Sequence, residues 1–258
     1  MTLVVGIKAD DGIVLAADGR TSRAVVGGGT CPVDDDTQKI FSSTDGKWGF
    51  GMAGLPAAAL GALDDIREYC SPNGIRANAF GVAKHLRDEF SEYFGRNKER
   101  LINEWPQLSI LIVGYEVTGK AAFYCLESSA GFRPFSISDR TYYKIGSDFR
   151  CQIVESLLKK SPEPMNVSQA QRAAASLIRG IGTVDGSVGG KIHMAVIDPK
   201  GYGEMADKDV AGIEAAVSQI DDHLRRRLWE ALTEPPAPND PQPKRTTTGK
   251  QSRLRIAR

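Results

Sequence analysis

The hydrophobic and polar positions of the chain first follow the pattern of β-strands. Two β-rich runs, "TLVVGIKA" (2–9) and "GIVLAAD" (12–18), are separated by the turn signal "DDG". Two more runs, "QKIFSS" (38–43) and "KWGFGMAG" (47–54), are separated by "TDG". The Gly- and Asp-rich segment 23–37 predicts a loop between them. We therefore expect two β-hairpins joined by a long loop.

Helical spacing of apolar residues begins after this part of the chain. It predicts helices over 55–70 and 74–94, the first with Pro56 near its first turn, where proline is tolerated. Further strands are predicted over 107–116, 120–128, 142–147, 191–198 and 201–206, and further helices over 148–160, 168–181 and 210–232. Segregated runs of strands and helices favour an α+β fold with helices packed on antiparallel sheets.

Length and composition suggest one large folded domain with a tail. The chain has 258 residues, of which 41% are hydrophobic and 25% are charged, which is enough for a sizeable core. We place this domain at 2–232. Residues 233–258 are Pro-rich and then basic, with little to bury, so we expect a disordered tail. The basic tail would fit a solvated chain end, a contact with an acidic partner, or a position along the face of a ring.

Several classes of function receive no support from the composition. The net charge of +1 implies no nucleic-acid partner. No apolar run approaches about 18 residues, and the first residues do not follow the pattern of a signal peptide, so a cytoplasmic protein without a membrane span is expected. The cysteines and histidines are scattered and give little support for a metal site or a histidine-based triad: Cys31, Cys70, Cys125, Cys151, His85, His193 and His223.

Thr2 offers chemistry that needs no histidine. If Met1 is removed, Thr2 carries a hydroxyl nucleophile and a free α-amine on one residue. An α-amine has a pKa near ~7.7–8.0, which suits a general base at neutral pH. Asp18 ends a predicted strand and Lys39 lies on another, so a lysine held by this carboxylate could favour loss of the hydroxyl proton. Taken singly, each of the two fits a turn-forming aspartate or a solvated lysine.

The stretch "GMAGLPA" predicts a strand that ends where a helix begins. Backbone N–H groups at a helix start point outward, and glycine allows close approach of a carbonyl group. Gly54 is therefore a candidate oxyanion donor, and a plain strand-to-helix turn is the alternative.

Four segments, in order, resemble the β-type subunits of proteasomes. "TLVVGIKADDGIVLAADGRTS" (2–22) is similar to their mature N-terminus, and "FGMAG" (50–54) to their strand-to-helix turn. "YKIGS" (143–147) and "GTVDGSVGGKIHMAVID" (182–198) resemble two later segments. The resemblance implies an N-terminal nucleophile hydrolase with a four-layer αββα sandwich, and a threonine endopeptidase without a cofactor.

The same resemblance implies roles for individual residues. Thr2 corresponds to the nucleophile and base, Asp18 and Lys39 to a supporting ion pair, and Gly54 to the oxyanion donor. Ser147 and Asp185 correspond to a polar pair that orients the threonine amine and a water. The pocket for the residue before the cut bond would have neutral walls that favour small or apolar side chains: Thr21, Thr37, Met52 and Pro56.

Three departures from the family are visible in the sequence. The segment between Asp18 and Lys39 is longer, which leaves Lys47 as an alternative lysine. Val188 stands where the family has a serine, with Ser187 one position earlier. Only Met1 precedes Thr2, so we expect no propeptide. This start resembles bacterial proteasome homologues, including the heat-shock-locus peptidase, which is shorter.

The resemblance also implies partners. Polypeptide substrates would be cut inside a homo-oligomeric ring of six or seven subunits, in a stacked double ring that an ATPase unfoldase ring could serve. Two alternatives stay open at this point. One is a catalytically silent ring or scaffold subunit, which Val188 favours. The other is an N-terminal nucleophile amidase that acts on small amides.

Overall fold

The computed structural model describes residues 2–24, 30–54, 75–97, 108–149, 151–160 and 165–233. The predicted helix over 55–70, Pro56 and the tail after residue 233 lie outside these ranges. Residues 2–218 form one compact unit, and residues 219–233, which belong to a second unit, continue the last helix. The predicted domain boundary after residue 232 stays a prediction.

Two antiparallel five-stranded sheets form the centre of the first unit. The first has the order β10-β1-β2-β11-β12, made of β1 (Leu3–Lys8), β2 (Ile13–Asp18), β10 (Tyr142–Gly146), β11 (Ile192–Asp198) and β12 (Gly201–Glu204). The second has the order β5-β6-β7-β8-β9, made of β5 (Ile40–Ser42), β6 (Gly49–Gly54), β7 (Leu108–Tyr115), β8 (Ala121–Glu127) and β9 (Phe135–Ser136). Because β1 lies between β2 and β10, residues at its start have neighbours on both sides.

Side chains alternate between the two faces along the strands of the first sheet, which explains how both faces become buried. Leu3, Val5 and Ile7 of β1 share one core cluster with helical residues, whereas Val4 belongs to the core between the sheets. That inter-sheet core includes Leu15 from the first sheet and large side chains from the second: Leu111, Val113 and Phe123. Successive strand residues point to opposite faces, so each β1 side chain enters one core or the other.

Helices cover the outer faces of both sheets. Helix α1 (Ile75–Asn97) packs on β7 and β8. Helices α2 (Gln152–Lys160), α3 (Val167–Gly182) and α4 (Asp207–Thr233) follow, and residues of all three within the first unit join the core on the outer face of the first sheet. The order is helix, sheet, sheet, helix, which confirms the α+β sandwich with αββα layers.

Helix α3 shows how the sequence sets a helix start. The Asn166 side chain accepts a hydrogen bond from the Gln169 amide, and the Gln169 side chain accepts one from the Asn166 amide. This capping box satisfies two backbone donors that a helix start leaves unpaired.

The predicted loop over 23–37 is wrong. Strands β3 (Thr21–Ala24) and β4 (Thr30–Asp34) pair antiparallel as a separate two-stranded hairpin. The short β9 was not predicted either, and the helix predicted from residue 148 begins at Gln152. The glycines and aspartates of 23–37 are typical of loops, so the local pattern did not predict the pairing of β3 with β4. This pairing depends on contacts at the base of the hairpin. Among the described residues, no helix combines the length and the apolar character that a membrane span needs.

Close approach of the two sheets generates the first prediction. A Cβ atom on Gly51 would overlap Val4 Cγ1 in the inter-sheet core. We expect Gly51→Ala to lower the free energy of unfolding by about 1–3 kcal/mol, because a fully buried valine has no room to give way. Urea denaturation measures this change.

Gly81 provides the matched control. It lies in α1, and a Cβ atom there would meet no heavy atom of the described residues within 4 Å. Gly81→Ala should stabilise the protein by about 0.5–1 kcal/mol through helix propensity. Equal effects of the two substitutions would contradict the close packing at Gly51.

Candidate active site

Thr2 lies at the start of β1, between the ends of two neighbouring strands. The Ser147 amide, just after β10, donates to the Thr2 carbonyl oxygen at 2.8 Å. On the other side, the Leu3 amide donates to Asp18 Oδ1 at 2.8 Å, at the end of β2. Thr2 is 8% exposed. Backbone hydrogen bonds therefore fix Thr2 between the predicted residues Asp18 and Ser147.

Asp18 and Lys39 form a buried ion pair. Lys39 Nζ lies 3.0 Å from Asp18 Oδ1, and the two side chains are 7% and 0% exposed. Lys39 Nζ also donates to the Arg20 carbonyl oxygen at 2.6 Å. The Arg20 and Gly189 amides donate to Asp18 Oδ2 at 3.2 and 3.1 Å. The carboxylate thus receives three amides and one ammonium, which compensates the cost of its burial.

Lys39 directly precedes β5 and crosses to the first sheet through its side chain. Its carbonyl oxygen accepts from the Met52 amide at 2.9 Å, which ties it to β6. Burial lowers the pKa of Lys39 below its ordinary value, while the charge of Asp18 acts in the opposite direction. The alternative Lys47 is exposed in the turn between β5 and β6. Lys39, not Lys47, is the lysine paired with Asp18.

Ser147 and Asp185, which the resemblance pairs, are in direct contact. Ser147 Oγ donates to Asp185 Oδ2 at 2.5 Å, and the Ser187 amide donates to Asp185 Oδ1 at 3.0 Å. The Ser187 hydroxyl donates to the same oxygen. Burial alone would raise the pKa of Asp185, but these hydrogen bonds hold the pKa below its ordinary value. The carboxylate therefore stays ionised down to acidic pH.

Val188 does not interrupt this cluster. Its side chain is 1% exposed and packs in the core beside the helices, and its amide donates to the Asp185 carbonyl oxygen at 2.9 Å. Ser187, one position earlier, supplies a hydroxyl to the Asp185 carboxylate. Although Val188 stands where the family has a serine, the hydroxyl of Ser187 therefore still binds Asp185.

Gly54 ends β6 in a conformation that suits glycine. Its φ is 132°, in the region that side chains disfavour. A Cβ atom on Gly146 would overlap the Thr2 carbonyl oxygen and lie 3.2 Å from Ala53 Cβ, so the end of β6 adjoins Thr2 across Gly146. Ala53, the residue before Gly54, thus lies near Thr2 across Gly146.

Three of the four predicted wall residues can be located. Thr21 Oγ1 donates to Thr37 Oγ1 at 2.8 Å, and Thr37 Oγ1 donates to Asp34 Oδ2 at 2.7 Å. Thr21 begins β3, three residues after Asp18, and Thr37 lies two residues before Lys39. Met52 is buried in β6, and its amide bonds to Lys39. Pro56 lies outside the described residues.

Sequence reasoning did not identify Arg20. Its guanidinium binds Asp35 through Nε and Nη2 at 2.7 and 3.3 Å, and Nη1 donates to the Gly186 carbonyl oxygen at 3.2 Å. Arg20 thereby connects the base of the β3–β4 hairpin to the segment that carries Asp185. Its contact with Lys39 is through a backbone carbonyl, which leaves no side-chain signal in the sequence.

The cluster can support nucleophilic attack and proton transfer by a residue at Thr2. The Lys39 ammonium pairs with Asp18 beside the start of β1, and the Asp185 carboxylate with its two hydrogen-bonded serine hydroxyls lies on the other side. The backbone of Gly146 adjoins the Thr2 carbonyl group. Within the described ranges, no group of three or more metal-ligating side chains comes together.

The family profile described as "Proteasome subunit" matches residues 2–197. The chain belongs to the proteasome subunit family. The matched range contains every predicted site residue, from Thr2 to Asp185. Membership supports a proteasome-type peptidase, and relatives of this kind form ring assemblies that act on peptides.

Two similar proteins are both named "Proteasome subunit beta 2". The one from Nitrosopumilus maritimus is 29% identical over 208 residues, which cover 78% of this chain and 88% of the relative. The one from Cenarchaeum symbiosum is 30% identical over 208 residues, with the same two shares. This proteasome-family chain is therefore similar to archaeal β subunits over most of its length.

A solved structure shares the fold. It is titled as an Anbu (Gly-1) mutant from Hyphomicrobium sp. strain MC1, with a TM-score of 0.65, 18% identity, and coverage of 89% of this chain and 97% of that chain. At this identity the likeness concerns the fold, and it agrees with the αββα layers described above.

The buried ion pair generates the second prediction. Lys39→Met leaves the Asp18 carboxylate buried without its cation, so the free energy of unfolding should fall by about 3 kcal/mol. Lys47→Met, at the exposed turn, should change it by less than about 0.5 kcal/mol. Urea denaturation compares the two variants. Adding Asp18→Asn to Lys39→Met should recover part of the loss, and a loss of the same size for both lysines would contradict the pairing.

The depressed pKa of Asp185 generates the third prediction. A carboxyl whose pKa is lower in the folded state stabilises the fold at pH values above its unfolded pKa, about 3.9. This stabilisation is lost as the pH falls through the folded pKa. The stability difference between the wild type and Asp185→Asn should be constant near neutrality and shrink below about pH 4. Denaturant titrations at several pH values measure it, and a difference that grows on acidification would refute the assignment.

Proposed function

We propose that this chain is a threonine endopeptidase whose nucleophile is Thr2 after removal of Met1. The observation that carries the proposal is the buried Asp18–Lys39 pair, which is hydrogen-bonded to the backbone of the residue after Thr2. A buried lysine beside the start of β1 has an evident use if it lowers the cost of forming an alkoxide there. Family membership and similarity to β subunits support the same reaction class.

In the first half of the reaction, Thr2 Oγ attacks the peptide carbonyl carbon. The hydroxyl proton passes to the α-amine of Thr2, and the positive charge of Lys39 stabilises the developing oxygen anion. The Gly54 amide donates to the oxyanion of the tetrahedral intermediate. The C–N bond then breaks, the leaving amine takes the proton from the Thr2 ammonium, and an ester to Thr2 remains.

In the second half, water hydrolyses the ester. The Thr2 amine takes a proton from the water as the water oxygen attacks the acyl carbon. The amine then returns the proton to Thr2 Oγ, the ester bond breaks, and the carboxylate product is released. Ser147 and Asp185 orient the amine and this water. Asp185 suits the role because it stays ionised and its oxygens are held by two serine hydroxyls.

The surroundings of Thr2 suggest a neutral pocket for the residue before the cut bond. Thr21, Thr37, Met52 and Pro56 would form its walls and favour small or apolar side chains. The proposal has two further parts. The chain cuts polypeptide substrates inside a closed homo-oligomeric ring of six or seven subunits, in a stacked double ring. It works in the cytoplasm with an ATPase unfoldase partner.

Substitution of Thr2 gives the fourth prediction. Mass spectrometry of the purified protein should show loss of Met1, and an electrophile directed at terminal threonines should label Thr2. Thr2→Ala should abolish both labelling and peptide hydrolysis, a loss of at least about 10³-fold, and leave assembly unchanged. Thr2→Ser should retain part of the activity because it keeps the hydroxyl and the amine.

Thr183→Ala is the control, because this hydroxyl lies exposed at the end of α3 and donates to the Gly180 carbonyl oxygen. It should leave activity and labelling unchanged. Full peptidase activity in Thr2→Ala, or in protein that retains Met1, would overturn the mechanism. Rings without labelling would favour the silent subunit, and a small oligomer that cuts only small amides would favour the amidase.

A further inference from the structure

The last helix, α4, exposes large apolar side chains in the part that belongs to the second unit. Ile220 and Leu224 are 50% and 58% exposed. They are four residues apart, so they lie about 40° from each other around the helix and share one face. Exposed apolar side chains on a common helix face are typical of a surface that another helix covers. We call Ile220 and Leu224 the apolar strip.

An acidic and a basic residue border one edge of the apolar strip. Asp221 lies about 60° from Leu224 around the helix, and Arg225 lies about 100° from it in the same direction. Within this segment, Arg227 pairs with Glu230 at 3.7 Å, whereas Asp221 and Arg225 have no ionic partner among the described residues. This edge therefore presents two opposite charges, one helical turn apart, that are available to another chain.

The opposite face of the same segment carries a second pair of the same residue types. Asp222 and Arg226 are both exposed and lie about 160° from Leu224 around the helix, in opposite directions. A helix that covers the apolar strip would not touch them. They are therefore matched controls for Asp221 and Arg225.

The order of residues makes the bordered strip complementary to itself. When two helices pair antiparallel about a two-fold axis, the same edge of both helices meets with its residues in reversed order. Ile220 then packs against Leu224 of the partner subunit. Asp221 lies beside Arg225 of the partner subunit, offset by about 3 Å along the helix axis. In a parallel pair this edge would meet the other edge, where Arg225 would face Arg227 of the partner subunit, a like charge.

We propose that residues 219–233 are a docking surface for the same segment of a second copy of this chain, in an antiparallel helix pair. Two ion pairs between Asp221 and Arg225 would set its direction. The tail after residue 233 is a poorer occupant, because its basic residues would lie against the arginines at 225–227. The contact does not involve Thr2, so it stands whether or not the chain is a peptidase.

A short helix pair buries less area than a stable interface of about 1,200 Å² needs. The contact would therefore add to other contacts in an assembly of many copies, where it is repeated. Ring assemblies are formed by relatives of this family, and a two-fold contact of this kind joins their subunits in pairs.

Two cysteine variants test the contact in the full-length protein. The Ile220→Cys and Leu224→Cys chains are co-expressed, the purified assembly is oxidised, and peptide mass spectrometry identifies each disulfide. An antiparallel pair brings these two positions within disulfide reach, so we expect a bond between the two chains. Peptide mapping separates it from bonds of native cysteines such as the exposed Cys31. Co-expressed Asp222→Cys and Arg226→Cys chains should form no such bond.

Charge reversal tests the ion pairs on the same readout. Asp221→Arg in both chains places like charges beside Arg225 and should slow formation of the disulfide by about tenfold. Adding Arg225→Asp reverses both charges and should restore the rate. The loss in Asp221→Arg should shrink at high salt, because these charges are close to solvent. Asp222→Arg, on the opposite face, should stay within about twofold of the unreversed pair.

Absence of a disulfide between positions 220 and 224, or disulfides only between two Leu224→Cys chains, would overturn the antiparallel contact. An unchanged rate in Asp221→Arg would also overturn it, because charge would then not direct the pairing. If the disulfide forms only after residues 234–258 are deleted, the tail covers the strip and the contact between copies is refuted. A protein that forms the disulfide but cuts no peptide would contradict the proposed function alone.

Discussion

The Asp18 carboxylate is the constraint on which the arrangement around Thr2 depends. It is fully buried, and its oxygens receive the amides of Leu3, Arg20 and Gly189 together with the Lys39 ammonium. These donors come from β1, the turn after β2, the segment before β11 and the residue before β5. One side chain therefore ties the start of β1 to both sheets, because each donor would be left unpaired if its segment moved.

The close packing of the sheets makes this connection possible. Lys39 precedes a strand of the second sheet, and its ammonium reaches a carboxylate at the end of a strand of the first. Gly51 lies against Val4, and a Cβ atom on Gly6 would lie 3.1 Å from Leu111 Cδ2. Glycines on the facing surfaces bring the layers near enough for one lysine to span them. The site is thus a consequence of inter-sheet packing as much as of the residues that compose it.

Much of this fold was predictable because its strands and helices carry strong local patterns. Asp18 and Lys39 were predicted to pair from their chemistry and their positions on strands, whereas only the family resemblance linked Ser147 with Asp185. The β3–β4 hairpin was not predictable, since its glycines and aspartates are typical of loops and its anchor is a set of distant contacts. Arg20 was missed because its bond to Lys39 uses a carbonyl oxygen that every residue possesses.

The longer segment between Asp18 and Lys39 need not displace the lysine, and the contacts at its base show why. The Thr37 amide donates to the Gly19 carbonyl oxygen at 2.9 Å, so the chain returns almost to the point where it left β2. Arg20 holds Asp35, and the Lys191 amide donates to the Asp35 carbonyl oxygen at 2.8 Å. Beyond this closure, strands β3 and β4 pair antiparallel. The entropy cost of closing a loop rises only logarithmically with its length, so an insertion closed at its base lowers the stability of the fold only slightly. It also leaves Lys39 in place beside Asp18.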